Sequence, residues 1–514
     1  MSWPQLAAVL VGAPALVVAT LRWLRVAQRE HYIAPWTTRV GSLWYRRLPG
    51  NGVLWAAGVL AVIAALALDS ALVALVAIVL ACALPVGLSV RGTSARLAWT
   101  PRLRRLLGVV VALVVVLGAL LWPLAGTTAL AILLLGLAPV VDLALLITAP
   151  IERRMQRKYL LSARTRLRQV RPRIVAITGS YGKTSTKNYV AHVLAARYTT
   201  IASPASFNNL MGLSRAVNER VVPGTEVFVA EMGVYGEGEI RELSESFPPD
   251  VAAITVIGEA HLARMGSREV IFRAKSEIAE RARTVVLPID DPLLAGLAQR
   301  SEAEGKRVVR VSTVPGTDAD VVVDADAGLV TVREGGGTAS APLSVPNAGH
   351  AVNIAVTVGI AVALELPLAT IASRLEALPD APHRAEVQLA PSGVAVVDDT
   401  YNANPVGAER ALEAAAALAA ERGGPLLVVT PGMVELGGVQ AVRNEAFGAS
   451  VADHGGTLLA VGRTNRAALL AGARSRGGRA EGFRDRAAAV ARALRDAGER
   501  GVILYENDLP DHYP

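Results

Sequence analysis

Apolar residues follow two different rhythms along this 514-residue chain. Up to residue 150 they come in long runs, at about 6–21, 53–68, 71–88, 106–122 and 130–147. Each run approaches the roughly 20 residues that an α-helix needs to cross hydrocarbon, and the shorter ones can borrow flanking residues. The pattern therefore predicts about five transmembrane helices. A signal peptide is the alternative for the first run, but no basic region precedes it and Arg22, Arg25 and Arg29 follow it, so it reads better as an uncleaved span. From Pro172 onward the runs become short and β-branched, at 174–177, 227–229, 251–257 and 285–287, with helix-compatible segments between them. That alternation predicts an α/β domain with a mainly parallel sheet, whose ligands belong at the carboxyl ends of its strands. Farther on, alanine-rich helical segments alternate with strands at 426–429 and 458–461, a second, Rossmann-like α/β unit. The expected fold class is thus an N-terminal α-helical transmembrane bundle followed by two α/β domains. Its expected parts are a membrane domain (1–150), a basic linker (151–172), a central domain (173–383) and a C-terminal domain (384–514).

Composition agrees with the membrane reading. Hydrophobic residues make up 52% of the chain, and a mean hydropathy of +0.39 is too apolar for an ordinary soluble enzyme. The net charge of +8 is unevenly spread: residues 1–173 carry 20 Lys and Arg against 4 Asp and Glu, and the remainder is net acidic. The excess of basic charge flanks the apolar runs, which calls for a membrane surface and not for nucleic acid. Basic connections follow the first, third and fifth runs, so the N-terminus is expected outside and everything beyond residue 150 in the cytoplasm, as a multi-pass protein of the cytoplasmic membrane. All seven tryptophans lie between Trp3 and Trp122, mostly near expected span ends, as interfacial anchors would. Asp142 falls inside the fifth run and is either functional or turned toward the bundle interior. The single cysteine, Cys82, excludes disulfides and cysteine-rich metal sites.

The chemistry concentrates after the first β-branched run, in Thr178-Gly179-Ser180-Tyr181-Gly182-Lys183-Thr184-Ser185. Strand, glycine turn, lysine and hydroxyl ahead of a helix make a phosphate-binding loop. The glycines let backbone N–H groups turn toward phosphate oxygens, Lys183 neutralises the β- and γ-phosphates, and the Thr184 hydroxyl can ligate Mg2+. Three further groups end or follow later strands: Glu231 in Glu231-Met232-Gly233, His261 in Gly258-Glu259-Ala260-His261-Leu262, and Lys275 in Ala274-Lys275-Ser276-Glu277-Ile278. Asn208 and Asn209 lie in a turn-rich loop between them. Singly, each is more often structural than catalytic.

In this order, T-G-x-x-G-K-T, N-N, E-M-G, G-E-A-H-L and A-K-S-E-I resemble the central domain of the Mur ligase superfamily, most of all its MurF type, which adds D-alanyl-D-alanine to the UDP-muramoyl tripeptide. The resemblance implies that Thr178, Gly179, Ser180, Gly182, Lys183, Thr184 and Ser185 bind ATP. It implies that Thr184, Glu231, His261 and a carbamylated Lys275 hold Mg2+, with two ions expected. By the same resemblance His350 and Asn353 contact the nucleotide base, Arg384 reaches the ATP phosphates, and Asp399, Tyr401 and Asn402 of D-D-T-Y-N-A-N-P line an interdomain cleft, where Tyr401 and Asn402, with Asn208 and Asn209, touch substrate. Lys183, His261, Lys275, Arg384 and Asp399 would be the catalytic set. Glu435-Leu436-Gly437 matches another short family segment.

The chain also departs from that pattern. Ala351 replaces an Asn, Pro288 stands where Asn is usual, the C-terminal K-G-S segment is missing, and the apolar runs occupy the place of the soluble domain that grips the UDP-sugar. What the resemblance implies is ATP-dependent amide formation through an acyl phosphate, joining a carboxylate-bearing cell-wall precursor to an amine at the bilayer, with other cell-wall synthesis proteins as further partners. Two alternatives stay open: the same chemistry on a lipid-linked or polymeric carboxylate, as in poly-glutamate synthesis, and a non-catalytic ATP-binding scaffold.

Overall fold

The computed structural model describes residues 2–90, 97–204, 207–334, 337–343, 351–379, 386–400 and 404–507. His350, Arg384, Tyr401 and Asn402 lie outside the described residues. The chain divides into two compact units, one built mainly from Met1–Met155 and the other from Gln156–Val461 with Ala468–Asn507.

The first unit is helical. Trp3–Arg29, Pro49–Leu68 and Pro101–Ala125 are long and apolar enough to cross a membrane, and Thr128–Leu135 with Leu137–Val170, bent by 65° at Gly136, makes up to a fourth span. The expected count of five is therefore corrected. The run at 71–88 yields only the 12-residue helix Ala71–Cys82, about 18 Å long at 1.5 Å per residue and short of the roughly 30 Å of hydrocarbon. Pro85 accounts for the stop, since it lacks an N–H and disfavours helical backbone in the residue before it. Two tryptophans also differ from expectation: Trp23 and Trp44 are buried in the bundle core, whereas Trp3, Trp55, Trp99 and Trp122 are exposed.

Asp142 has a structural partner. The helix Trp36–Arg47 begins after Pro35, which supplies no side-chain cap. The Asp142 carboxylate accepts instead from Thr37 N (3.2 Å), Thr38 N (2.8 Å) and the Thr38 hydroxyl (2.5 Å). It satisfies the orphan N–H groups of a helix start and places negative charge at the positive end of the helix dipole.

The second unit carries two sheets. The first contains β1 (Arg173–Thr178), β2 (Thr200–Ala202), β3 (Val227–Glu231), β4 (Val251–Ile254), β5 (Thr284–Pro288), β6 (Arg307–Ser312), β7 (Val321–Asp324), β8 (Leu329–Glu334) and β9 (Gly337–Pro342), in the order β2-β3-β1-β4-β5-β6-β7-β8-β9. The pairings from β2 to β7 are parallel, and β7-β8-β9 is an antiparallel extension. Alternation along each strand serves two cores. Val175 and Ile177 pack with Val190, Ile354 and Val358 on one face, while Ile174 and Ala176 pack with Leu213, Ile240 and Ile271 on the other. A parallel sheet covered on both sides needs such near-continuous apolar strands.

The second sheet contains β10 (Glu386–Leu389), β11 (Ala395–Asp399), β12 (Leu426–Thr430), β13 (Thr457–Val461), β14 (Ala480–Phe483) and β15 (Val502–Glu506), in the order β10-β11-β15-β12-β13-β14, parallel except for β10.

The capping role of Asp142 is testable with the protein's own fluorescence, because every tryptophan lies in residues 3–122. Asp142→Ala should lower the midpoint of the tryptophan-detected unfolding transition in detergent, for a loss of about 1–2 kcal/mol, and Asp142→Asn should lose less. An unchanged midpoint in Asp142→Ala would remove the capping role.

Candidate active site

The phosphate loop joins β1, in the middle of the parallel part of the sheet, to the helix Lys183–Leu194. Thr178 is fully buried and its hydroxyl donates to Met232 O at 2.8 Å. Ser180 N donates to Val256 O at 2.7 Å, and the Ser180 hydroxyl accepts from Gly258 N at 2.9 Å. Two positions admit only glycine. Gly179 has φ +152° and a Cβ there would fall 1.9 Å from Thr255 Oγ1; Gly182 has φ +78° and a Cβ would fall 2.2 Å from Asn353 Oδ1. The strand expected at 251–257 stops at Ile254, and the side chain of the next residue braces the loop: the Thr255 hydroxyl donates to Thr178 O at 3.3 Å and to Tyr181 O. The first N–H groups of the helix lack intrahelical acceptors, so the loop ends on a ready anion site. Lys183 Nζ lies over the loop and donates to Gly179 O at 2.7 Å. Ser185 is buried in the first turn of this helix.

Glu231, the last residue of β3, gathers the neighbouring groups. It is 2% exposed. Its Oε2 accepts from the Thr184 hydroxyl at 3.0 Å and from Lys187 Nζ at 3.1 Å, and its Oε1 accepts from Asn208 Nδ2 at 3.2 Å. Lys187 is itself 1% exposed. Sequence reasoning missed this lysine, although the signal was present: Lys187 follows Lys183 by four residues and so shares its helix face. Asn209 has a different task, because its side chain caps the helix Leu210–Arg220 by accepting from Gly212 N at 2.8 Å.

Lys275 sits in the last turn of the helix Arg268–Ser276 and is 1% exposed. Its hydrogen-bond acceptor among the described residues is Gly179 O, at 3.1 Å. Lys183 uses the same oxygen, which puts the two nitrogens within ~6 Å of each other. Burial first and the Lys183 charge second push the Lys275 amine well below the ordinary lysine range. That shift favours the neutral amine, the form that reacts with carbon dioxide.

His261 follows β4 and is reached by a residue of the second α/β domain, with Nδ1 2.7 Å from Glu435 Oε2. Burial lowers the imidazole pKa, and the charges of Lys183 and Lys275 add to this, against the pull of Glu435. Burial opposes the Glu435 charge, yet the His261 hydrogen bond and the nearby Arg264 outweigh it and bring that carboxyl down to about 2. Asn353, buried on the helix Ala351–Ala363, lies against Gly182 of the loop. Asp399 ends β11 on the second sheet, in register with Glu506 of β15. Glu506 is wholly buried, its Oε2 accepts from the Thr430 hydroxyl, and burial with the Asp399 charge raises its pKa to about 8.

Among the described residues no group of three or more His, Cys, Asp or Glu converges as a metal site. The expected donors are instead one hydroxyl, one carboxylate, one imidazole and one lysine. They suit a hard divalent ion that takes its remaining ligands from phosphate and water, and the deeply buried Lys275 amine, its pKa pushed down by burial, fits conversion to a carbamate ligand.

These features define a P-loop nucleotide-binding domain followed by a second α/β domain. Residues 177–361 match the Mur ligase middle domain and residues 383–505 match the Mur ligase glutamate ligase domain, together more than half of the chain. The chain belongs to the Mur ligase family. It is 35% identical over 251 residues to the UDP-N-acetylmuramoyl-tripeptide--D-alanyl-D-alanine ligase of Mycobacterium tuberculosis, covering 48% of this chain and 49% of that one. With the enzyme of the same name from Bacillus subtilis it shares 31% identity over 297 residues, 56% of this chain and 62% of that one. Among solved structures, MurF from Acinetobacter baumannii superimposes with a TM-score of 0.57 and 26% identity, covering 68% of this chain and 77% of that one. The chain thus spans about half the length of the mycobacterial relative.

Two measurements test the electrostatics. Lys187→Met should destabilise the central domain by about 3–5 kcal/mol by leaving the Glu231 charge buried without its cation, and adding Glu231→Gln should restore part of the loss. Hydrogen exchange in peptides covering Val227–Glu231 reads this directly, and unchanged protection in the single variant would contradict it. For Glu506, the folded pKa of about 8 lies above the unfolded carboxylate value, so the native state binds the extra proton. Its contribution is harmless below about pH 4.5 and costs stability progressively as pH rises toward 8, at about 1.4 kcal/mol per unit. Glu506→Gln should flatten that decline, seen as greater protection of Val502–Glu506 than in wild type at pH 8 but not at pH 4.5.

Proposed function

We propose that this protein is an ATP-dependent ligase that activates a carboxylate as an acyl phosphate and joins it to an amine in cell-wall precursor synthesis. The observation that carries the reading is the convergence of Lys183, Thr184, Glu231 and Lys275 on one loop at the carboxyl edge of the sheet. The two bacterial relatives, both UDP-N-acetylmuramoyl-tripeptide--D-alanyl-D-alanine ligases, suggest the substrate class: a muramoyl tripeptide as carboxylate donor and D-alanyl-D-alanine as amine.

In this mechanism the loop amides and Lys183 hold the ATP phosphates and offset the charge of the transferring phosphoryl group. A substrate carboxylate oxygen attacks the γ-phosphorus, ADP leaves, and the incoming amine displaces phosphate from the acyl phosphate to give the amide. Two displacements replace the expulsion of oxide from an unactivated carboxylate. Thr184, Glu231 and His261, with Lys275 once carbamylated, would hold Mg2+, which when bound supplies further charge stabilisation. Carbamylation adds carbon dioxide to the unprotonated form of the Lys275 amine and releases one proton, turning a lysine whose ammonium form would repel the metal into an anionic ligand. Arg384 and Asp399 are assigned to the closed arrangement of the two α/β domains, in which water is kept from the acyl phosphate.

The apolar helices favour a second reading, in which the carboxylate is carried on a lipid. In either case the helices hold the enzyme at the cytoplasmic membrane with its α/β domains in the cytoplasm.

Phosphate release by the protein in detergent, with ATP, Mg2+ and D-alanyl-D-alanine, separates these readings when UDP-muramoyl tripeptide is compared with a lipid-linked precursor and the products are weighed by mass spectrometry. Amide from the UDP substrate is the expected result, and amide from the lipid substrate alone makes the helices part of the substrate site. Lys275→Ala should keep nucleotide binding while amide formation falls at least ~100-fold. Nucleotide binding with no amide from either substrate would overturn this choice of substrates.

A further inference from the structure

The histidine expected to face the metal takes its side-chain hydrogen bond, among the described residues, from the other α/β domain. Its Nδ1 is 2.7 Å from Glu435 Oε2, and Glu435 belongs to the segment between β12 and β13 of the second α/β domain. The contact is built from several directions. Ala263 N donates to Glu435 O at 2.9 Å, so the backbone two residues past the histidine is pinned to the same residue. Arg264 Nη2 donates to Glu435 Oε1 at 3.2 Å, which fixes the other carboxylate oxygen. Two residues before the histidine, Glu259 takes a two-pronged hydrogen bond from Arg443, at 2.5 and 2.9 Å. The Tyr235 ring meets the imidazole edge-on at 5.0 Å. His261 and Glu435 both have φ +63°, a left-handed backbone that non-glycine residues hold only where their surroundings over-determine it.

An ionised carboxylate can only accept a hydrogen bond, so Nδ1, the ring nitrogen facing it, carries a proton, and in the neutral ring Nε2 keeps the lone pair. We propose that Glu435 is the positioning residue for His261: docking of the second α/β domain fixes the Nδ1–H tautomer and presents Nε2 as the ligand, coupling metal–nucleotide binding to closure of the two domains. The inference rests on the reading of His261 as a magnesium ligand. A carboxylate behind a ligating histidine typically contributes 10- to 100-fold in metal affinity. Here it comes from the other α/β domain, and linkage makes the coupling reciprocal: whatever tightens Mg2+ tightens docking by the same factor.

The test uses the full-length chain in detergent with Mg2+ and the non-hydrolysable analogue AMP-PNP. Nitrogen NMR of histidine-labelled protein, with the His261 signal assigned by its loss in His261→Asn, should show the Nδ1–H tautomer in wild type. Glu435→Ala should mix the tautomers and raise the Mg2+ needed for half-saturation of AMP-PNP binding about 10-fold or more. Glu435→Gln retains an acceptor oxygen and should recover most of the affinity. A wild-type His261 protonated on Nε2 overturns the inference without any variant. Unchanged affinity and tautomer in Glu435→Ala, with wild-type binding intact, overturn it alone. Failure of wild type to bind Mg2+ and AMP-PNP overturns the functional reading and this inference with it.

Discussion

The structure around the phosphate loop depends on one buried carboxylate. Glu231 has almost no access to water, and an isolated charge there would be prohibitively costly. It is tolerated because a hydroxyl, an ammonium and a carboxamide each supply a hydrogen bond from a different segment: Thr184 and Lys187 from the helix after β1, and Asn208 from the loop before the helix Leu210–Arg220. The same contacts that neutralise the charge therefore fix the spacing between the phosphate loop and β3. Stability and site geometry come from one set of bonds.

Two lysines on the other side of the loop show the opposite case. Lys183 and Lys275 share the Gly179 carbonyl as acceptor. Two ammonium groups in that space repel, and burial together with the Lys183 charge pushes the Lys275 pKa down. Positive charge beside an anion site and a depressed pKa at the Lys275 amine thus come from the same packing. Across the domain boundary, Glu435 extends the arrangement to His261, so the site draws on both α/β domains of the second unit.

Much of this was legible in the sequence, for identifiable reasons. The phosphate loop could be read because Gly179, Gly182, Lys183 and Thr184 occupy positions whose backbone and charge requirements few other residues meet. The two mainly parallel sheets followed from β-branched runs alternating with helical segments. Two kinds of feature were hidden. Spans were overcounted because hydropathy alone does not register the stop at Pro85 or the bend at Gly136. Long-range partners were invisible because nothing local joins Asp142 to Thr37 and Thr38, or His261 to Glu435, across more than one hundred residues in each case. Lys187 lay between these extremes, on the right helix face yet distinguished only once Glu231 was seen opposite it.

The central claim is that the site activates a carboxylate by phosphorylating it. The most direct measurement supplies the muramoyl-peptide substrate, UDP- or lipid-linked, with 18O in its reacting carboxylate and follows the label by mass spectrometry during turnover with ATP, Mg2+ and the amine. Passage through an acyl phosphate predicts one 18O atom in each phosphate released, with the other retained in the amide. Amide formed alongside unlabelled phosphate would contradict the account, because the carboxylate would then never have been bonded to phosphorus.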